Sequence, residues 1–189
     1  MGSTPKPRTG RHGSAKTSAT ARRYDIYSRS YDTLYREEQS AKLEAAMAAG
    51  WKPDGRHVDY GCGSALLSSR LARSCQTVVG VDISEGMLRV AKKRKAVELV
   101  LADAAYAPFR RRAFGSFSCF TAFHNFREKS RALEAMADSV KAQGSGVLSL
   151  LAKGRGSQDE DIVGRSRGLG VTRRIVSASD VILLVKVTE

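Results

Sequence analysis

A short apolar stretch running straight into two closely spaced glycines constrains this chain more than any other feature. Residues 57–60, HVDY, have the length and composition of a strand, and Gly61-Cys62-Gly63 follows without a spacer. Glycine has no Cβ, so such a turn adopts backbone conformations closed to other residues and lets a ligand approach the main chain. Behind it, residues 64–74 (SALLSSRLARS) place apolar side chains at helical spacing. Strand, glycine turn and helix in that order open a doubly wound α/β sheet. A dinucleotide fingerprint would need a further glycine at position 66, where the chain has Leu66. The turn therefore argues against a nicotinamide dinucleotide and for a different adenosine cofactor.

The alternation continues to the end of the chain. Strand patterns fall at 76–82, 97–103, 114–123 and 147–153, and helix patterns at 84–95, 129–144 and 157–170. Ser84 is a natural N-cap, with Glu85 in the favourable first turn. In the helix expected over 129–144, Leu133, Met136, Ala137 and Val140 share one stripe and Gly144 supplies the stop. VTRRIVS and DVILLVKV close the chain as a hairpin. The fold predicted is α/β: a Rossmann-like, doubly wound, mostly parallel seven-stranded sheet with a C-terminal antiparallel hairpin. Asp59, Asp82 and Asp103 fall at the ends of the first three strands, which a parallel sheet brings to one edge, the edge where ligands bind. A carboxylate about twenty residues after the glycine turn accepts hydrogen bonds from ribose hydroxyls. One at the end of the third strand, Asp103-Ala104, accepts from an adenine amine.

The termini differ in kind. Residues 1–22 hold Gly, Ser, Thr, Pro, Lys and Arg with almost no large apolar side chain, and are expected to stay disordered. Residues 23–50 read as a helical segment, with Tyr24, Tyr27, Tyr31 and Tyr35 at spacings of three or four, and 51–189 as the α/β domain. The net charge is +13, of which residues 1–23 supply +6, leaving +7 for the rest. A basic surface attracts polyanions, chiefly nucleic acid. The same charge density, with a single Asn and four Gln, also suits a protein from a hot environment. Three cysteines without Cys-x-x-Cys spacing suggest neither disulfides nor zinc. No apolar run is long enough to cross a bilayer, no secretory pattern opens the chain, and Lys6 breaks a myristoylation motif. A cytoplasmic location is expected.

Taken together, VDYGCGSA, VVGVDISEGMLRVA, VELVLADAAYAPF, FGSFSCFTAFHNF and GSGVLSLLAK resemble the class I S-adenosylmethionine-dependent methyltransferases of the UbiE-like type, over residues 56–153. The resemblance implies S-adenosyl-L-methionine as cofactor. It places Gly61 and Gly63 at the methionine part, Asp59 near the amino group, Asp82 at the ribose, Ile83 against the adenine, and Asp103 with Ala104 at the adenine amine. Thr121, after the fourth strand, is expected to touch the cofactor too. The segment before the first strand would lie over the cofactor as a lid, with Tyr24, Tyr31 and Gln39 in contact. Many members have a third glycine where this chain has Ala65, and an alanine is expected to fit there only with negative φ.

The acceptor is harder to read. The segment Thr121-Ala122-Phe123-His124-Asn125-Phe126 lacks the Asn/Asp-Pro-Pro-aromatic motif of enzymes that methylate exocyclic base amines or glutamine amides. His124 is a candidate general base and Asn125 a candidate orienting group. Arg127, Lys129, Lys153 and Arg155 follow strands four and five and suggest a shallow basic site, whereas Arg110, Arg111 and Arg112 fall on the opposite edge. RNA, as tRNA or rRNA, is the leading acceptor. The alternatives are a lysine-rich protein, a small molecule, or no reaction at all in a cofactor-binding regulatory module. A loose likeness to the rRNA guanine-N7 methyltransferase adds a small activator subunit as a candidate partner, docked by strand addition on an exposed sheet edge.

Overall fold

The computed structural model describes Arg22, Tyr24 and residues 31–152, 156–177 and 180–188. The tail expected over 1–22 therefore lies, Arg22 apart, outside the described residues, and so does the side chain of Tyr31.

Helix α1 (Tyr31–Ala48) leads into β1 (Arg56–Tyr60), α2 (Leu66–Leu71), β2 (Thr77–Asp82), α3 (Glu85–Ala91) and β3 (Glu98–Leu101). After a 3₁₀ turn at Ala104–Tyr106 come β4 (Phe114–Phe120), a second 3₁₀ turn at Phe123–Asn125, α4 (Lys129–Ser139) and β5 (Val140–Leu151). Then follow α5 (Gly156–Gly164), β6 (Leu169–Val176) and β7 (Asp180–Val187). The described strands form one sheet in the order β3-β2-β1-β4-β5-β7-β6. Pairing is parallel from β3 to β5, and antiparallel for β5–β7 and β6–β7. The strand order reverses between β1 and β4, so the crevice beyond their C-terminal ends is the position for a ligand.

Helices cover both faces. Alternation along the strands sends Val58, Phe117, Cys119, Leu148 and Leu150 to one face, where Leu133 and Met136 of α4 pack on them. Val78, Phe120, Val147, Ile182 and Leu184 go to the other, against Leu43 and Ala46 of α1 and Leu67 and Leu71 of α2. Ser84 caps α3 as expected, accepting from the Met87 N–H at 3.1 Å. Among the described residues no helix is long and apolar enough to cross a membrane, and no group of His, Cys, Asp and Glu is placed to hold a metal ion.

The helices expected over 84–95 and 157–170 are shorter than their patterns, ending at Ala91 and Gly164 with β6 starting at Leu169, and one departure changes the type of element. The helix expected to run to Gly144 stops at Ser139, and β5 begins at Val140. Gly144 is needed for another reason. A Cβ there would lie 2.7 Å from the Gly115 carbonyl of β4 and 2.4 Å from Val140 Cγ1. The β4–β5 register jumps from Phe114↔Val140 to Ser116↔Ser145, and the extra residues tuck against β4 through Gln143, whose φ is 63°.

Candidate active site

The turn after β1 explains its glycines. Gly61 (φ 72°) and Gly63 (φ 55°) both take left-handed backbone, where L side chains are strained. A Cβ on Gly61 would stand 2.3 Å from the Ala122 methyl, and one on Gly63 would stand 3.1 Å from Met87 Cε. The turn is thus drawn close to the β4 loop on one side and α3 on the other. Ala65 is left-handed as well, with φ 58°, so the expectation of a negative φ fails. The turn repeats the left-handed conformation at 61, 63 and 65. An alanine is held in this strained state while its methyl is fully buried among Leu67, Leu71 and Val78.

Asp82, at the end of β2, spans the turn. Its Oδ2 accepts from the Gly63 N–H and its Oδ1 from the Ser84 N–H, each at 2.8 Å. An exchange at Asp82 therefore loosens both the glycine turn and the start of α3. Asp103 caps the 3₁₀ turn by accepting from the Ala105 N–H at 3.0 Å.

These elements enclose a cavity of about 290 Å³ lined by Tyr24, Gly61, Gly63, Asp82, Ile83, Asp103, Ala104, Thr121, His124 and Asn125, with Met87, Phe120, Phe126 and Arg127 completing the wall. A side cavity of about 30 Å³ reaches Asp59 and Gln39 behind the glycine turn. Every described residue expected at the cofactor therefore borders one of the two spaces. Sequence reasoning missed Met87, Phe120 and Phe126, apolar residues that look like any other core positions.

Asp59 is buried, accepting from Ser68 Oγ at 2.5 Å and Ser118 Oγ at 2.7 Å. Burial pushes its pKa up to about 6 in spite of those two donors, and the Asp82 charge adds to the rise. Behind it His57 is fully buried and held neutral, its pKa driven down to about 3 by desolvation. Thr121, a β-branched residue with φ 52°, turns its hydroxyl away from a purely cofactor role. The Oγ1 accepts from Lys42 Nζ at 2.9 Å and Gln39 Nε2 at 3.2 Å, and stands 3.3 Å from Ser149 Oγ. Lys42, 1% exposed, also pairs with the fully buried Asp180 at 3.0 Å and with Glu38 at 2.6 Å. This polar cluster ties α1 to the ends of β4, β5 and β7. At its N-terminal end α1 is tied again, through Asp32, to Ser64 of the glycine turn and to Arg94.

On the acceptor side, the Asn125 amide donates to Tyr24 Oη and to His124 Nε2, each at 2.9 Å. In this arrangement the Nε2 lone pair is used, and Nδ1 carries the proton. That nitrogen is buried and has no partner among the described residues. Burial also lowers the His124 pKa, which favours the neutral ring. The acceptor wall is less basic than its sequence suggests. Lys129 is half-buried and paired with Asp159, and Lys153 and Arg155 lie outside the described residues. Arg111 sits on the far edge, 3.1 Å from Asp138.

Two left-handed glycines against a cavity, with an acid at the end of each of the first three strands, match what the sequence resemblance requires. The methyltransferase-domain family profile matches residues 58–148. Residues 58–148 form a methyltransferase domain. Demethylmenaquinone methyltransferase of Corynebacterium kroppenstedtii is 29% identical over 130 residues, which is 67% of this chain and 54% of that protein. The chain spans about half the length of the curated relatives it matches first. Among solved structures, the complex of a Haloferax volcanii methyltransferase with the Trm112 methyltransferase activator superposes with TM-score 0.70 at 16% identity, covering 87% of this chain and 97% of that one. Magnesium protoporphyrin IX methyltransferase of Synechocystis with bound S-adenosylhomocysteine superposes with TM-score 0.73 at 17% identity, covering 92% and 100%. At these identities the two structures speak to the fold. The resemblance read from the sequence implies S-adenosylmethionine as the cofactor. The cavity fits such a group: any Cβ would fill the glycine cradle, and the carboxylates of Asp82 and Asp103 line the cavity while Asp59 borders the side cavity.

Proposed function

We propose that this chain transfers a methyl group from S-adenosylmethionine to RNA, a tRNA or rRNA, presented at the mouth of the cavity. The observation that carries this reading is the exposed Tyr106 ring, two residues beyond Ala104 of the cavity wall. It ends the 3₁₀ turn that begins at Ala104 and is 47% exposed. The Arg131 guanidinium lies 4.2 Å from its centroid, and its hydroxyl donates to Glu128 Oε1 at 2.8 Å. Arg131 is itself fixed by a 3.2 Å bond from Nε to the Ala105 carbonyl. An aromatic ring held this way is a stacking surface for an unpaired base. Arg127, next to Glu128, lines the cavity. A volume of about 290 Å³ is at the low end for small-molecule sites, so cofactor binding leaves little room for an enclosed acceptor. The charge of +7 outside residues 1–23 draws a polyanion to the surface.

The bound cofactor supplies a methyl group already activated on sulfur. The residues position it: Asp82 accepts from the ribose, Asp103 from the adenine amine with Ala104 beside it, Ile83 packs on the adenine, and the 61–63 turn holds the methionine part near Asp59. His124 and Asn125 stand on the acceptor side, where the Asn125 amide bonds to Tyr24 Oη and to the His124 ring and fixes both. In-line positioning carries most of the rate enhancement. Residues 1–22 form a basic tail, 23–50 a lid and 51–189 the methyltransferase domain. A small activator subunit, like the one in the Haloferax complex, would pair with an exposed sheet edge; β3 presents Leu101 and β6 presents Val176 there. A second reading, a small apolar acceptor, is favoured by the demethylmenaquinone methyltransferases among the relatives.

Tritium transfer from labelled S-adenosylmethionine tests the reading, with unmodified tRNA, rRNA, protein extract and a quinol offered in parallel. Label is expected in RNA, and label confined to protein or to the quinol would overturn the RNA assignment. Tyr106→Ala is expected to raise the KM for RNA about tenfold while leaving cofactor affinity unchanged.

A further inference from the structure

The buried side chains behind the glycine turn form an unbroken row. Asp59 Oδ1 meets Ser118 Oγ at 2.7 Å, Ser118 Oγ meets His57 Nε2 at 2.9 Å, and His57 Nδ1 meets Ser116 Oγ at 2.9 Å. Ser116 Oγ accepts from the Asp54 N–H at 2.8 Å and reaches the Asp54 carbonyl at 3.2 Å. The row follows from strand register: His57 pairs with Ser116 and Asp59 with Ser118 across β1 and β4. It runs through the core from exposed Asp54, before β1, to the cavity at the strand ends.

Each serine has one proton to give and each neutral imidazole has one. With Asp59 ionised, Ser118 must donate to it, so Ser118 accepts from His57 Nε2–H, and His57 Nδ1 accepts from Ser116. With Asp59 protonated on Oδ1, the three bonds between Asp59 and Ser116 reverse, and the Asp54 N–H goes on donating to Ser116. Ser118 donates to Nε2, His57 donates from Nδ1 to Ser116, and Ser116 donates to the Asp54 carbonyl. Both arrangements satisfy every group in the row, and each demands a different His57 tautomer. A proton taken up at the Ser116 end and passed along the row converts the first arrangement into the second, with one net proton gained.

We propose that His57 and Ser118 are positioning residues that set the charge of Asp59, and through it the grip of the domain on the cofactor's ammonium group. This rests on the assignment of Asp59 to that ammonium. Among the described residues Asp59 has no cation against it: Asp82 is the charged neighbour that acts on it, Cys62 and Cys119 are thiols pushed upward by burial, and Gln39 across the side cavity is neutral. A bound ammonium is then the counter-charge that favours the ionised arrangement, so cofactor binding drives His57 to the Nε2–H tautomer. Two hydroxyl donors to Asp59 keep the ionised form accessible despite burial, and one of them is the serine that His57 orients.

The test is long-range ¹H–¹⁵N correlation of the full chain with ¹⁵N-labelled histidine, recorded from pH 5 to 8. His57 is expected to pass from Nδ1–H to Nε2–H with a midpoint near 6, the value for Asp59, without its ring ever becoming charged. Adding S-adenosylmethionine at pH 5.5 is expected to produce the high-pH tautomer. In parallel, calorimetry is expected to show affinity falling about tenfold per pH unit below that midpoint. Ser118→Ala should uncouple the tautomer from pH and raise the midpoint for binding by about one unit, and Ser118→Thr should restore both. A single His57 tautomer across the range, or a binding profile unmoved in Ser118→Ala, would overturn the proposal. Absence of cofactor binding at every pH would instead strike the Asp59–ammonium assignment, and the tautomer shift would then still report whether the row is coupled.

Discussion

The two faces of this sheet are built differently. Under α4 the face is almost wholly carbon: Val58, Phe117, Cys119, Leu148 and Leu150 meet Leu133 and Met136, and the Tyr60 hydroxyl is bonded to Ser139 at 3.0 Å. Under α1 and α2 the same strands bury His57, Asp59, Ser116, Ser118, Ser149 and Asp180, with Lys42 reaching down from the helix. The polar groups lie on the face whose covering helix also reaches the side cavity, since Gln39 of α1 borders it at Asp59. The dry face holds the fold together by burial, and the wet face trades some of that stability for fixed hydrogen-bond donors and acceptors behind the site.

The largest effects should come from leaving a charge stranded on the wet face. Lys42→Met removes the partner of fully buried Asp180 and is expected to lower stability by about 3–5 kcal/mol in urea unfolding. The double exchange Lys42→Met with Asp180→Leu should recover most of the loss. A single exchange costing under about 1 kcal/mol would show that the pair behaves as a surface contact. Phe117→Ala on the dry face is expected to cost nearly as much, about 3–5 kcal/mol. Isothermal titration should then find cofactor affinity unchanged, whereas Lys42→Met should weaken it by releasing Thr121.

A smaller effect separates the faces by pH. Asp59, with its pKa raised to about 6, binds a proton in the folded state that the unfolded chain releases near 4, so its contribution to stability is lost as pH rises from 4 to 6. His57, with its pKa lowered to about 3, stays neutral where the unfolded chain is charged, so its contribution is lost as pH falls below about 6.5. Between pH 6 and 4 the two slopes oppose each other, and unfolding free energy from these groups is expected to stay nearly level, then drop towards pH 3. His57→Phe removes one side of the balance, and stability should then rise as pH falls from 6 to 4, by about 2–3 kcal/mol. A profile that still falls would mean that Asp59 titrates near its ordinary value. The smallest change is Ala65→Gly. Relief of left-handed strain, about 1 kcal/mol, is offset by loss of a buried methyl worth about the same, so urea midpoints should move very little.

Much of this was readable in the residues, and the misses have physical reasons. Apolar alternation and the glycine turn located the parallel strands, because a strand buried on both faces must be apolar and a cradle must lack Cβ atoms. The early start of β5 was not readable. Its first residues, KAQGSG, carry no apolar alternation, and they join the sheet only because β4 offers a bulged edge to pair with. His57-x-Asp59 and Ser116-x-Ser118 do show polar residues two apart in otherwise apolar strands. What joins them is the β1–β4 register, which no local pattern encodes. The pairing of Lys42 with Asp180 left no trace at all, since neither residue differs from a surface charge until the fold is complete.

That last pairing also has a consequence in time. The chain emerges from the ribosome N-terminus first, and α1 can form long before β7 exists. Until Asp180 has been synthesised and β7 has slid between β5 and β6, Lys42 has no buried carboxylate to meet, and burying it would leave a bare cation. Helix α1 is therefore barred from settling on the sheet early, and the side cavity it borders stays unfinished until nearly the whole described chain has been made.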